Sequence, residues 1–168
     1  MNLEYNSFLN KDFSPKSKVW VYQANRLLTI SEAFEAEEMV SAFVEDWKSH
    51  GDAVKAQGLI IFGYFVILIA DETQTTVGGC STDSSVNFIK SLGEKFGVDF
   101  LDRKQLAFVL NDTIQILPLE QVEYAIEHNF LFPETLYFNN LVATKEDLEN
   151  NWIIPIQKSW LKQKIAVQ

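Results

Sequence analysis

Gly78-Gly79-Cys80-Ser81-Thr82-Asp83-Ser84-Ser85 holds the only cysteine of the chain, set between a glycine pair and a run of hydroxyl and acidic side chains that suit a helix start. Backbone N–H groups at a helix start carry partial positive charge, which favours a thiolate and can also hold an anion. Cys80 is therefore the first candidate nucleophile, with the amides of Ser81 and Thr82 as donors to an oxyanion or a bound anion. A cysteine nucleophile needs a base in contact. The chain offers His50 and His128 as its two histidines, and the pattern points to His50 or Asp71 for that role. A second account explains the same residues without chemistry: a glycine turn, a cap from Ser81 or Asp83, and Cys80 as a small buried hydrophobe, with Asp83 opposing thiolate formation.

Arginine supplies another chemistry. A guanidinium from Arg26 or Arg103 beside the helix start would complete an anion pocket with Ser81 and Thr82. Arg103, directly after Asp102, suits a surface ion pair equally well. Asp71-Glu72 ends the most apolar segment, where sheet proteins often bind ligands, and it also reads as an ordinary polar strand exit. His50 and His128 each fit a cation near a helix C-terminus. Asn139 and Asn140, between Phe138 and Leu141-Val142, read as amides that cap turns or bond backbone. One cysteine and two distant histidines give none of the paired spacings of a metal site, so no metal is expected. Neither a Gly-x-x-x-x-Gly-Lys-Ser/Thr loop nor a Gly-x-Ser-x-Gly element occurs, and no cofactor is expected.

These residues must be positioned by recognisable elements. Leu59–Ala70 is uncharged and rich in Ile, Val and Phe. It is short of the roughly 18 residues of a membrane span, and it predicts one strand buried on both faces. Lys18–Ala24 alternates, with Val19, Val21 and Gln23 on one side and Trp20 and Tyr22 on the other, as a strand with one buried face does. Apolar residues at Ala36, Met39/Val40, Phe43 and Trp47 predict an amphipathic helix over Ser31–Lys48, with Ser31 as N-cap and His50-Gly51 as its stop. A second helix is expected from about Ser84 to Phe96, ended by Gly97. Leu106–Leu110 and Thr113–Leu117 flank Asn111-Asp112 as the arms of a hairpin. Pro118 opens a third helix with Leu119, Val122 and Ile126 inward and its end near Asn129. Thr144 with Asp147 resembles a capping box for a short helix to about Asn151, and Trp152 and Trp160 are expected to pack the tail. The order β-α-β-α-β-β-α predicts a single α+β domain over residues 1–168, with a mixed sheet of about four to five strands.

The composition frames these sites. At 168 residues, 47% hydrophobic, with 4 Pro and 7 Gly, the chain is that of one packed domain. The net charge of -9 repels phosphate backbones, so nucleic acid is not an expected partner, nor is a membrane. A single cysteine and an opening Met1-Asn2-Leu3-Glu4 without a basic and apolar leader favour a reducing cytoplasm.

Trp20-x-Tyr22 with Arg26, Trp47-x-x-His50-Gly51, Gly79-Cys80-Ser81-x-Asp83-Ser84-Ser85, Asp102-Arg103, Phe138-Asn139-Asn140-Leu141-Val142 and Ser159-Trp160 together resemble a family of small Bacteroidetes proteins. Many of its members carry the label ABC transporter ATPase, and it has no established active site to transfer. An ABC ATPase needs a phosphate-binding loop, an acidic strand end and a signature segment; only the acidic strand end, Asp71-Glu72, has a counterpart here. ATPase activity is therefore not expected.

Three readings follow. The favoured one is a cytoplasmic binding or interaction domain without catalysis, whose partner is a protein or a small anionic ligand. Four Trp and 13 Phe can fill the core or supply a partner or homodimer patch. The second is a thiol-dependent enzyme or redox sensor using Cys80. The third is a small-anion binder using the helix start with Arg26 or Arg103.

Overall fold

Hydrophobic alternation and glycine placement divide the chain into short strands and two long helices. In the computed structural model, which describes residues 1–165, the elements begin with β1 (Lys18–Gln23), α1 (Ile30–Asp46), β2 (Lys48–Ser49), β3 (Asp52–Ala53), β4 (Lys55–Ile61), β5 (Phe65–Asp71) and α2 (Gly79–Phe96). They continue with β6 (Gln105–Leu110), β7 (Thr113–Pro118), α3 (Val122–Glu127), β8 (Leu136–Phe138), α4 (Lys145–Asn151), β9 (Ile153–Pro155) and α5 (Lys162–Ile165). The class is α+β, as expected. The strands do not join in one mixed sheet, however: they form three antiparallel sheets, β1-β5-β4, β2-β3 and β7-β6-β8-β9.

Side-chain alternation stacks these sheets. From β5, Phe65, Ile67 and Ile69 join Val19 and Val21 on one face, packed against Ala107, Ile114, Phe138, Leu148 and Trp152. The other face of the same strand, Val66, Leu68 and Ala70, lies with Tyr22 under Ala36 and Val40 of α1 and Ile89 and Leu92 of α2. In the second sheet Leu106, Phe108 and Tyr137 turn the opposite way, towards Val122, Ala125, Ile126, Ile156 and Leu161. The result is a four-layer arrangement: two helices, a sheet, a second sheet and a cover of short helices. β1 is thus buried on both faces, where alternation alone suggested one.

Leu59–Ala70 is not the single strand expected. It contains the end of β4, a tight turn and most of β5, paired with Ile60 opposite Val66. Phe62 and Gly63 at the turn take φ of 56° and 69°, and the Tyr64 N–H donates to the Ile61 carbonyl at 3.2 Å. Gly63 adopts this region freely; Phe62 does so with its ring stacked on Trp152, centroids 6.0 Å apart. Because β5 is buried on both faces, hydrophobicity runs straight through the turn and hides it. The Asn111-Asp112 hairpin is found where expected, with φ of 50° and 60° at the two turn residues. Thr144 caps α4 by accepting from the Asp147 N–H.

Both long helices differ from expectation at their starts. α1 is capped by Thr29 in a capping box with Glu32, not by Ser31. It also stops at Asp46, because Trp47 turns extended and buries its indole, whose N–H donates to the Ser81 carbonyl at 3.0 Å. α2 begins at Gly79, five residues before Ser84. The reason lies in the hydroxyls: Thr82, Ser84 and Ser85 donate back to the carbonyls of Gly78, Ser81 and Thr82, and so sit within the helix instead of capping it.

Candidate functional site

The start of α2 carries the residues that motivated a thiol reading. Cys80 lies in the first turn, and its thiol is exposed; it is not the buried packing residue of the alternative account. Ser81 is buried, and its hydroxyl donates to the Lys48 carbonyl at 2.9 Å, while the Thr82 hydroxyl is spent on Gly78. His50 is not a helix-end cation. It occupies the β2–β3 turn with φ of 52°, beside Gly51 at 90°. Its ring leans over the start of α2, so that a Cβ placed on Gly78 would lie 3.0 Å from the His50 Nε2. Among the described residues no hydrogen bond joins Cys80 to His50 or Asp71. His128 does end a helix, its Nδ1 2.9 Å from the Tyr124 carbonyl and its ring stacked on Tyr124.

Asp71 is buried at the end of β5 and fully engaged. Its carboxylate meets Lys55 Nζ at 2.9 Å and accepts from the N–H groups of Thr73 and Ser14. Burial pushes its pKa upward, but Lys55 and those N–H groups outweigh burial and hold it below the usual carboxylate range. It is a structural anion. Neighbouring Glu72 pairs with Lys18 at 3.0 Å and accepts from the Val77 N–H.

Arg26 is at the wrong end of α2 for an anion pocket with Ser81 and Thr82. It donates to the Phe96 carbonyl in the last turn and pairs with both carboxylate oxygens of Glu32. The 18 residues of α2, at about 1.5 Å each, separate it from Cys80 by roughly 25 Å. Hydrogen bonding to Arg26 draws the Glu32 pKa down to about 2.

Arg103 has a different setting. It lines a cavity of about 210 Å³ together with Gln23, Phe100, Asp102, Gln105, Leu106, Tyr137, Asn140, Leu141 and Trp160. Four stretches distant in sequence converge here: the end of β1, the segment before and into β6, β8 with the turn after it, and the approach to α5. The floor is an amide relay. Trp152 donates its indole N–H to Asn140 Oδ1 at 3.0 Å, Asn140 Nδ2 donates to Gln23 Oε1 at 2.8 Å, and Gln23 Nε2 donates to the Gln105 carbonyl at 3.1 Å. Asn140 is therefore more than a turn cap: it ties two sheets together across 117 residues of chain.

At the wall, the Trp160 indole donates to the Tyr137 hydroxyl at 3.2 Å, which leaves the Tyr137 proton free to be given. Burial pushes the Tyr137 pKa up, against a smaller downward pull from Trp160, so the hydroxyl stays protonated. The Arg103 guanidinium spends one donor on the Val21 carbonyl at 3.1 Å and lies over the Tyr22 ring, 5.6 Å from its centroid. Among the described residues it meets no carboxylate. Asp102, which the sequence offered as its partner, instead accepts from the Lys104 N–H and from Gln105 Nε2.

Gln23, Tyr137, Asn140 and Trp160 were not legible as site residues, since each owes its place to partners far along the chain. A larger, shallow groove of about 600 Å³ runs between α1 and α2 past Met39, Phe43, Trp47 and Phe88. Its wall includes the stacked Phe43 and Phe88 rings, 4.4 Å apart, and Asp46, Lys48 and Ser84 also line it. No cluster of three or more His, Cys, Asp or Glu suited to a metal ion exists among the described residues, and no described helix is long and apolar enough to cross a membrane. Comparison of the chain with protein-family models, with curated proteins and with solved structures found no match.

Proposed function

We propose that this protein is a binding domain without catalysis, and that its ligand occupies the cavity lined by Arg103, Asn140 and Trp160. The observation that carries this reading is the convergence of four separated segments on one concave site. Its amides are locked by mutual hydrogen bonds, and its cation has donors to spare. A rigid floor, apolar walls and a few convergent polar groups are the usual makings of a small-molecule site. The cavity holds no nucleophile and base pair of the kind that acyl or thiol chemistry requires. Binding of a small anion now has its anchor at Arg103, away from Ser81, Thr82 and Arg26.

The test is a screen by two-dimensional NMR of nitrogen-15-labelled protein against cocktails of small neutral, cationic and anionic compounds. The indole signal of Trp160 and the side-chain amides of Gln23 and Asn140 are expected to shift with at least one cocktail, whose components remain chemically unchanged. Cocktails that leave all three signals in place would overturn the reading of the cavity, and turnover of a bound component would overturn the absence of catalysis.

The thiol reading keeps one observation in its favour, the lean of His50 over Gly78 beside an exposed Cys80. It expects His50→Ala to slow alkylation of Cys80 in the native protein. An unchanged rate would remove it.

A further inference from the structure

The groups left unsatisfied in the cavity restrict what it can hold. The amide oxygens of Gln23 and Asn140 accept from Asn140 and Trp152, and each NH2 gives one of its two N–H groups, to the Gln105 carbonyl and to Gln23, so the floor is held in place and keeps one N–H on each amide. Beside them stand the Arg103 guanidinium, the one cation of the lining, and the Tyr137 hydroxyl proton, and a charged donor is the stronger anchor. Phe100, Leu106 and the ring of Tyr137 make buried apolar wall, while Leu141 and Trp160, 67% and 39% exposed, present apolar surface at the mouth.

We infer that the ligand is a small monocarboxylate carrying a flat apolar body, with its carboxylate on Arg103 and Tyr137 and its body between Trp160, Leu141 and Phe100. This rests on the cavity being the binding site. A planar carboxylate matches the guanidinium fork, and the Tyr137 proton supplies a third donor. A dianion such as phosphate is disfavoured, because Asp102 lines the same cavity and the chain carries a net charge of -9. The size agrees. A cavity of about 210 Å³ holds roughly seven waters at about 30 Å³ each, which is the room needed by a ring bearing a short carboxylate arm. Such a body would cover the exposed faces of Trp160 and Leu141 and so remove apolar surface from water.

Phenylacetate is the probe, with phenylacetamide, acetate and inorganic phosphate as comparisons, each titrated by calorimetry and by NMR on the 168-residue chain. Phenylacetate is expected to move the Trp160 indole signal and to bind at least tenfold more tightly than the other three. Arg103→Gln is expected to weaken it at least tenfold, and Trp160→Ala to weaken phenylacetate while leaving acetate unaffected. Binding of phenylacetamide equal to that of phenylacetate, or an Arg103→Gln variant that binds normally, would overturn the carboxylate assignment while leaving the cavity a binding site. Phosphate binding as well as phenylacetate would show a simple anion site and overturn it likewise. If neither these probes nor the cocktails shift the Trp160, Gln23 and Asn140 signals, the inference and the binding reading fail together.

Discussion

Replacing Asn140 by alanine strikes the joint on which the cavity floor depends. The substitution removes the acceptor of the Trp152 indole N–H, a side chain with no exposed surface, and the donor to Gln23 Oε1, on a side chain 6% exposed. Each orphaned buried group costs about 1–3 kcal/mol, so Asn140→Ala is expected to lose about 2–4 kcal/mol of stability. For a chain of this length that corresponds to a fall in Tm of roughly 4–16 °C. The assay is urea unfolding at 25 °C, followed by tryptophan fluorescence and by circular dichroism, with an unchanged m value as the check that only stability moved. Gln23→Ala alone and combined with Asn140→Ala completes a cycle. Because the double variant no longer orphans the Gln23 oxygen, its loss should be smaller than the sum of the single losses by at least about 1 kcal/mol. A loss below about 0.5 kcal/mol for Asn140→Ala, or strict additivity in the cycle, would refute the relay as a stabilising element.

Asp71→Asn tests the buried ion pair with Lys55. The folded state holds the Asp71 pKa below its unfolded value, so the unfolded chain binds the proton more readily and the pair's contribution is present above about pH 4 and lost as pH falls. The variant is expected to be less stable at neutral pH by about 1–2 kcal/mol, the half-exposed lysine limiting the loss, and its stability should fall less steeply below pH 4. An acid limb as steep as the original would contradict this. At Gly58 a Cβ would overlap Val40 Cγ1, where α1 lies on β4. Gly58→Ala should therefore cost about 1–3 kcal/mol by overpacking, and Val40→Ala in the same chain should recover part of that cost, as unfolding curves of the four proteins would show. Iodoacetamide is expected to modify Cys80 in the native protein, since its thiol is exposed; labelling that appears only in denaturant would contradict its position.

Local features of the chain determined much of the architecture. Alternation at Val19–Tyr22, the Asn111-Asp112 turn, the Thr144 cap and the Gly97 stop were legible because each is a short-range matter of side-chain period or backbone freedom. The α+β class followed from their order. Features set by burial or by distant partners were not legible. The Phe62-Gly63 turn was hidden because β5 is buried on both faces, and His50 left its helix because the Trp47 indole is drawn down to Ser81. Cys80, Asp71, Arg26 and Arg103 were all identifiable as reactive or charged side chains, yet their grouping was not. Ion pairs assigned Asp71 to Lys55 and Arg26 to Glu32, and they left Arg103 for the cavity. Sequence carries residue type and local period. The choice of partner for a charge or an amide is made across the packed layers, where desolvation makes a buried polar group take whichever counterpart the fold brings within reach.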